Sequence, residues 1–492
     1  MSEDLRTRTA HTLKWNIVDR LSTQVLYAVT GIVLARLLDQ EAFGLVGAVL
    51  IFQAFGTILV DSGFNYALLQ KKEPTQGDYS TVFWFNMAMG AGVYLILYLC
   101  APLIAMCFKN DPRLIPLSRM MFLVLILNAT SSVQVSRFMK QMQAAPIALA
   151  NTAGLVAGGV TGIWLAVKGF GAWAIVWQGL ALAAVKSAAL WIAGHWRPSA
   201  VFDTAALRSF AGLGTRMLGS AFLNTLFLNI YSFFVGSRAG LVPLGYYTQS
   251  DKWSKMGVTA ITQTLTSTFV PPLAAVQDQP ERFANMCSRM TRFTAWLAMP
   301  ALLGLAAMAT PVFHTLFGSK WDPSIILFQL LLVRGVFMVF NSLSGNFLLA
   351  LGKASIILKL EVWRDTLACV ALAATFPFMT MSLPDNPVYG LEIMLWGQLA
   401  ATVITWIITM ARTLPCAGLS WKRYLSDIWP YTAVTLVIVP VVLLIPLVVE
   451  SAVLQLVLEA AAGISLYLLI NALAGSKIQS QAWEYVRGML HR

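Results

Sequence analysis

Leu34-Ala-Arg-Leu-Leu-Asp-Gln-Glu-Ala-Phe-Gly44 closes the first apolar run of the chain, and Val235-Gly-Ser-Arg-Ala-Gly-Leu-Val-Pro-Leu-Gly245 closes the seventh, with Arg36 and Arg238 in matching places. A second match lies further on. Arg137-Phe138 ahead of Ala144-Ala145-Pro146 is echoed by Asn346-Phe347 ahead of Lys353-Ala354-Ser355, and Gly171 through Trp177-Gln178 by Gly390 through Trp396-Gly397-Gln398. The offsets, about 202 and then 209 to 219, drift only as loop insertions would make them. A repeat with an even number of spans enters the membrane from the same side twice, so its copies are related by an axis along the membrane normal. The pattern therefore predicts two pseudo-symmetric six-helix lobes.

Composition sets the environment of those lobes. Of 492 residues, 58% are apolar and 11% charged, and mean hydropathy is +0.70. Soluble domains carry roughly 25% charged residues, so a soluble enzyme, a disordered chain and a collagen-like fibre are excluded together. Apolar runs able to cross ~30 Å of hydrocarbon begin near residues 14, 43, 80, 114, 143, 170, 210, 243, 287, 324, 354, 388, 428 and 452. The expected fold is an all-α polytopic membrane protein of about 14 transmembrane helices, two of them C-terminal to the repeat. The expected organisation is an N-lobe over 1–194, a cytoplasmic linker over 195–209, a C-lobe over 210–412, two further helices over 413–474 and an amphipathic tail over 475–492.

The excess of 34 Lys and Arg over 22 Asp and Glu gives a net charge of +12. With the N-terminus inside, the cytoplasmic ends hold Lys and Arg over the outer ends by about three to one, which places both termini in the cytoplasm. Much of the charge is then topology, and no nucleic-acid partner is implied. The five cysteines form no disulfide or metal framework, and no nucleotide-binding glycine loop is present. The connections are too short for a soluble catalytic domain.

Charges within spans are the strongest functional signal, because an ionisable group at the bilayer centre costs at least ~2.5 kcal/mol. On the first helix Asn16, Arg20, Thr23, Gln24, Tyr27 and Gly31 recur at three and four residues and form one polar stripe. The seventh repeats the device with Arg216, Ser220, Asn224 and Tyr231. The eighth opens with Asp251, Lys252 and Lys255 and continues through Thr259 and Gln263, the tenth adds Arg334 and Asn341, and the eleventh Glu361, Arg364 and Asp365. Lys14, Arg20, Arg216, Lys252, Lys255 and Arg334 outnumber the acids among them, which suits an anion, and a phosphate above all. Plainer readings stand beside these. Lys14 and Arg216 equally suit snorkelling to inner head groups, Asp251 with Lys255 an i,i+4 pair, and Glu361 with Arg364 and Asp365 a structural ion cluster.

Val33-Leu-Ala-Arg-Leu-Leu-Asp39 with Phe43-Gly-Leu45, Asp61-Ser-Gly-Phe64 with Ala67-Leu-Leu-Gln70, Val82-Phe-Trp-Phe-Asn86, Phe317-Gly-Ser-Lys-Trp321 and Leu349-Ala-Leu-Gly-Lys353 give the chain its resemblance. It resembles Wzx-type lipopolysaccharide and exopolysaccharide flippases, in the colanic-acid and teichuronic-acid-like branch of the polysaccharide transporter family within the MOP exporter superfamily. The resemblance covers essentially the whole chain and implies a MOP/MATE-like pair of lobes. It also implies transfer of an undecaprenyl-diphosphate-linked oligosaccharide from the cytoplasmic to the periplasmic leaflet of the bacterial inner membrane, with Asn16, Gln24, Tyr27, Asn224, Tyr231, Thr259, Gln263 and Asn341 as the expected contacts to its sugars.

Together these readings predict alternating access through a cationic inter-lobe cavity, with no covalent chemistry and no cofactor. Coupling to H+ or Na+ is expected at Asp251, Glu361 or Asp365. Expected partners are the lipid-linked oligosaccharide, membrane lipids and a polysaccharide polymerase or export machinery, with the protein itself a monomer. The alternatives are a MATE-like drug or ion antiporter, a flippase for the peptidoglycan lipid precursor and, from a different class, an integral-membrane glycan transferase or ligase.

Overall fold

The computed structural model describes residues 3–61 and 64–490. The first half of the chain forms α1 (Glu3–Leu37), α2 (Gln40–Asp61), α3 (Phe64–Gln70), α4 (Gln76–Cys107), α5 (Leu114–Met121), α6 (Leu123–Lys140), α7 (Ala144–Val167), α8 (Ala172–Ala193) and α9 (Thr204–Phe234). The second forms α10 (Leu241–Ala274), α11 (Pro280–Ala307), α12 (Ala309–Leu316), α13 (Asp322–Ala350), α14 (Ala354–Thr375), α15 (Tyr389–Cys416), α16 (Trp421–Val442), α17 (Ala452–Leu473) and α18 (Lys477–Leu490). Among the described residues the only β-type pairing is a single bridge between Leu383 and Asn386.

Twelve helical stretches among the described residues are long and apolar enough to cross a membrane. α10 and α14, with 34 and 22 residues, have the length but not the apolarity. Adding them to the twelve gives the fourteen crossings expected. The two helices that fail on apolarity are the eighth and eleventh, on which the sequence places a run of polar and charged residues. The fourth crossing is α5 and α6 in series, and α9 runs into a π-helical turn over Val235–Ala239.

The chain divides into two compact units, Met1–Gly245 and Tyr246–Arg492. The repeat assigns a linker to 195–209 instead. That stretch is pinned to α4: the Ser199 amide donates to Ser80 Oγ at 3.0 Å and the Asp203 amide to Thr81 Oγ1 at 2.9 Å. α9 then packs on α2, α3 and α4, which puts it in the first unit.

Within the first unit, α7 and α8 approach through small residues, as membrane helices do where side chains would hold them apart. A Cβ on Gly154 would lie 2.7 Å from the Leu182 carbonyl oxygen, and one on Gly158 2.7 Å from that of Gln178. α1 lies along α7. On the connection between α4 and α5, Arg113 pairs with Asp111 at 2.7 Å and Glu41 at 2.5 Å. The Arg113 guanidinium holds the Asp111 carboxyl below the usual carboxylate range.

The two matched sequence segments touch each other. A Cβ on Gly44 would stand 1.8 Å from the Leu241 carbonyl oxygen, and one on Gly245 2.0 Å from that of Gln40. Gly245 follows Gly44, and Leu241 follows Gln40, by the same 201 positions. Each glycine thus meets the counterpart of the residue its own counterpart meets, the reciprocal pairing that two copies make across a two-fold axis. No side chain fits at either position.

In the second unit α13 is central, with α11, α14 and α15 against it, while α16 packs on α11 and α17 on α16 and α12. α10 runs parallel to α13: Ser250 Oγ donates to the Ser324 carbonyl at 2.8 Å, Val258 faces Gly335, and Thr266 shares a hydrogen bond with Asn346.

Gly44→Ala and Gly245→Ala should each lower thermal stability by about 1–3 kcal/mol, the usual cost of overpacking. Ala at exposed Gly92, where a Cβ meets nothing within 4 Å, should cost none. Melting of the purified variants in detergent checks this.

Candidate functional site

α1 sorts its side chains into three directions. On the side of α7, Asn151 Nδ2 donates to both oxygens of Asp19, at 3.1 and 3.3 Å, and Ser22 bonds Thr152 at 3.3 Å. Successive residues on a helix point about 100° apart, so Arg20 is turned away from this seam. It is exposed and has no hydrogen bond or ion pair among the described residues. Asn16, Gln24 and Tyr27 share its face and are exposed as well. Lys14 does not belong to this face. Six positions before Arg20, it stands about 120° round the helix, in phase with the exposed Leu21 and Val25. The structure thus joins Asn16, Arg20, Gln24 and Tyr27, and sets Lys14 on an apolar side where snorkelling accounts for it.

On α9, Asn224 is exposed and Tyr231 is buried at 4%, so the Tyr231 ring is not presented with the amide. Arg216 belongs to α9, but its side chain lies outside the described residues.

The second unit carries a denser group. On α10, Lys252, Lys255, Thr259 and Gln263 fall within one face by helix phase, and Thr259 and Gln263 are exposed. Lys255 Nζ pairs with Asp251 at 2.7 Å, and Lys252 Nζ stands 5.4 Å from the Trp253 ring centre. Arg334 on α13 donates from Nε to Thr402 Oγ1 at 3.1 Å, and that hydroxyl donates in turn to the Gln398 carbonyl at 2.8 Å. With Gly335 against Val258, Arg334 stands within ~9 Å along the helix axis of both lysines. Holding Nε to a hydroxyl leaves the outer guanidinium edge for a ligand, the geometry that favours bidentate oxyanions. Asn341 shares the Arg334 face, and its Oδ1 is buried without a hydrogen-bond partner among the described residues.

The three acids expected to bind a coupling ion are disposed differently from one another. Asp251 is taken by Lys255, Asp365 accepts from Arg364 Nε at 2.9 Å, and Glu361 is exposed on α14. An exposed charged face on a helix of membrane-spanning length requires water or protein against it, not hydrocarbon. Among the described residues no group of three or more His, Cys, Asp or Glu could hold a metal ion.

A family model described as polysaccharide biosynthesis protein matches residues 33–326, more than half of the chain. The chain belongs to this family. Two relatives cover nearly all of it. The lipopolysaccharide biosynthesis protein WzxC of Escherichia coli (strain K12) is 24% identical over 458 residues, 92% of this chain and 89% of that protein. The succinoglycan biosynthesis transport protein ExoT of Rhizobium meliloti (strain 1021) is 24% identical over 417 residues, 85% and 80%. Among solved structures, the lipid II flippase MurJ in an inward closed conformation aligns with a TM-score of 0.73 at 12% identity, over 94% of this chain and 98% of that one. At that identity the likeness is one of fold.

In this polysaccharide biosynthesis protein some telling groups escape a reading by stripes. Asp427 on α16 accepts from Ser288 and faces Arg292 Nε at 3.4 Å, both on α11. Glu459 on α17 is 1% exposed, and among the described residues neither carboxyl oxygen has a hydrogen-bond partner. Each stands alone in its own helix turn, where no periodic pattern marks it. For Glu459 the rule against charges within spans is sufficient signal. Thr402 has none, because only the fold sets it beside Arg334.

Asp427→Ala should lower thermal stability by about 1.5–3 kcal/mol, the loss of a hydrogen bond to a charged group. Asp427→Asn should cost less, since the amide still accepts from Ser288. Melting curves of the two variants check the order.

Proposed function

We propose that the protein is a flippase for undecaprenyl-diphosphate-linked oligosaccharide repeat units. It carries them from the cytoplasmic to the periplasmic leaflet of a bacterial inner membrane during surface polysaccharide synthesis. The observation that supports this most is Arg20, a guanidinium with no partner among the described residues, within a span of a chain from the polysaccharide biosynthesis family. A cation with no protein partner among the described residues, on a polar face within a span, suits an anionic visitor. A lipid diphosphate brings that anion together with a tail that stays in hydrocarbon.

The steps need no bond to form or break, and the protein acts without covalent catalysis. The diphosphate is taken up by the α1 face, with Asn16, Gln24 and Tyr27 beside Arg20 for the first sugars and Arg216 contributing from α9. It is passed to Lys252, Lys255 and Arg334 as the two faces are reached from opposite sides of the membrane in turn. Asn224, Thr259, Gln263 and Asn341 supply hydrogen bonds to successive hydroxyl groups. Both termini lie in the cytoplasm, in keeping with the distribution of Lys and Arg. The protein works as a monomer and delivers its product to a polymerase or export machinery. Downhill H+ or Na+ resets the empty carrier, which requires that the ion bind the two states unequally.

The test uses purified protein in liposomes with a short-chain fluorescent lipid-diphosphate oligosaccharide, scored by its appearance in the opposite leaflet. Wild type should move it. Arg20→Ala and Arg334→Ala should each be slower by about 10- to 100-fold, the worth of a hydrogen bond to a charged group. Lys14→Ala, on the apolar side of α1, should change little. Thr402→Val should weaken diphosphate binding and Thr402→Ser should keep it, because only the hydroxyl holds the Arg334 fork. No movement by wild type, with the protein correctly inserted, would refute the reading.

A further inference from the structure

Glu459 is the single charged residue of α17, in the sequence Ala452-Val-Leu-Gln-Leu-Val-Leu-Glu459 and on to Leu473. It is buried at 1%, and among the described residues neither carboxyl oxygen has a hydrogen-bond partner. α17 is among the most apolar of the candidate spans, with hydropathy 2.0. An ionised carboxyl group in such a place would be stripped of water with nothing in return, whereas the neutral acid pays only for a hydroxyl and a carbonyl. Buried polar groups without partners are rare enough in folded proteins that each calls for an explanation.

The charged and titratable groups on the neighbouring elements are committed elsewhere or lie far along the helix. α12 carries His314, which bonds Asp322 at 2.8 Å. On α16, Tyr424 bonds Trp406, Arg423 bonds Asn285, Asp427 holds Ser288 and Arg292, Tyr431 meets Ser476, and Lys422 lies in the first turn. On α11, Arg289 bonds Gln481, while Glu281, Arg282 and Cys287 lie nearer still to its start. α18, with Lys477, Glu484, Tyr485 and Arg487, follows the far end of α17. Depth follows from two contacts. Tyr467, two turns beyond Glu459, donates to the Trp296 carbonyl at 2.9 Å, and Arg292 is a turn further along α11. Arg292 and its partner Asp427 are therefore about 18 Å from Glu459 along the helix axis. In the other direction Gly463 packs on Val442, near the apolar end of α16.

We propose that Glu459 is an intramembrane proton-binding site, loaded in this conformation and emptied when the seam of α12, α16 and α17 admits water, and that its proton is the one coupled to lipid movement. The coupling half of this rests on the transport reading above. The proton is taken from water and returned to water, and nothing else is exchanged. A lone carboxyl suits a proton, whereas a hard metal cation gathers ~6 oxygen ligands. Of the acids expected to serve this role, Asp251 and Asp365 already have cations against them and Glu361 is exposed. Glu459 has neither.

Infrared spectroscopy of the full-length protein in liposomes at neutral pH, with and without carbon-13-labelled glutamate, reads the site directly. An un-ionised carboxylic C=O band that shifts with the label and is missing in Glu459→Gln is expected. The variant should insert and melt like wild type, since a neutral isostere suits the same space. Flipping of the lipid-diphosphate probe is then followed under imposed pH gradients. Wild-type accumulation should change by about tenfold per pH unit for one proton, and the variant should respond to no gradient. A band unchanged in Glu459→Gln, or equal responses to pH in wild type and variant, would overturn the proposal. If wild type moves no lipid under any gradient, the transport reading fails, and with it the coupling. The infrared result still decides the proton site.

Discussion

A charged side chain in hydrocarbon is the constraint from which the rest of this structure follows. At least ~2.5 kcal/mol per group is too much to leave unanswered in a protein of ordinary stability. Each intramembrane charge must therefore be paired, wet or neutral, and the chain shows all three solutions. Asp251 with Lys255 and Asp427 with Arg292 are paired. Arg20 and Glu361 are exposed on helix faces whose remaining polar groups keep them company. Glu459, buried and without a hydrogen-bond partner among the described residues, is the group proposed to be neutral.

That constraint shapes single helices as much as the whole. On α1 one turn holds an acid bonded by Asn151, a guanidinium with no partner among the described residues and the exposed Leu21. The helix can serve three environments only because its phase is fixed along its length by the seam with α7. Elsewhere glycine fixes the geometry. At Gly44 and Gly245 backbone meets backbone with no room for a Cβ, and the reciprocal form of that contact ties the sequence repeat to a local two-fold.

Much of this is legible in the chain itself. The expected starts at 114, 354 and 452 coincide with the starts of α5, α14 and α17, because length and hydropathy are what a bilayer selects. The Arg20 face is legible because polar residues at three and four positions apart in an apolar helix leave little choice of direction. The separation of Lys14 from that face needs only the helix phase, yet proximity in sequence hides it. The engagement of Tyr231 in packing, the hold of Thr402 on Arg334 and the isolation of Glu459 are tertiary facts. They depend on which helices become neighbours, and a hydropathy pattern does not contain that.

The central claim is that the polar faces of α1 and α10 border water and not lipid. Single cysteines in place of Asn16, Gln24, Thr259 and Gln263, in a chain cleared of its own five cysteines, would be treated in membranes with a small charged maleimide. Leu21 and Val25 serve as the comparison on the apolar side of α1. Rapid labelling at the four polar positions with little at the two apolar ones is the predicted result. Equal protection at all six would contradict the account, since it would place the polar stripes against hydrocarbon or in a dry interface.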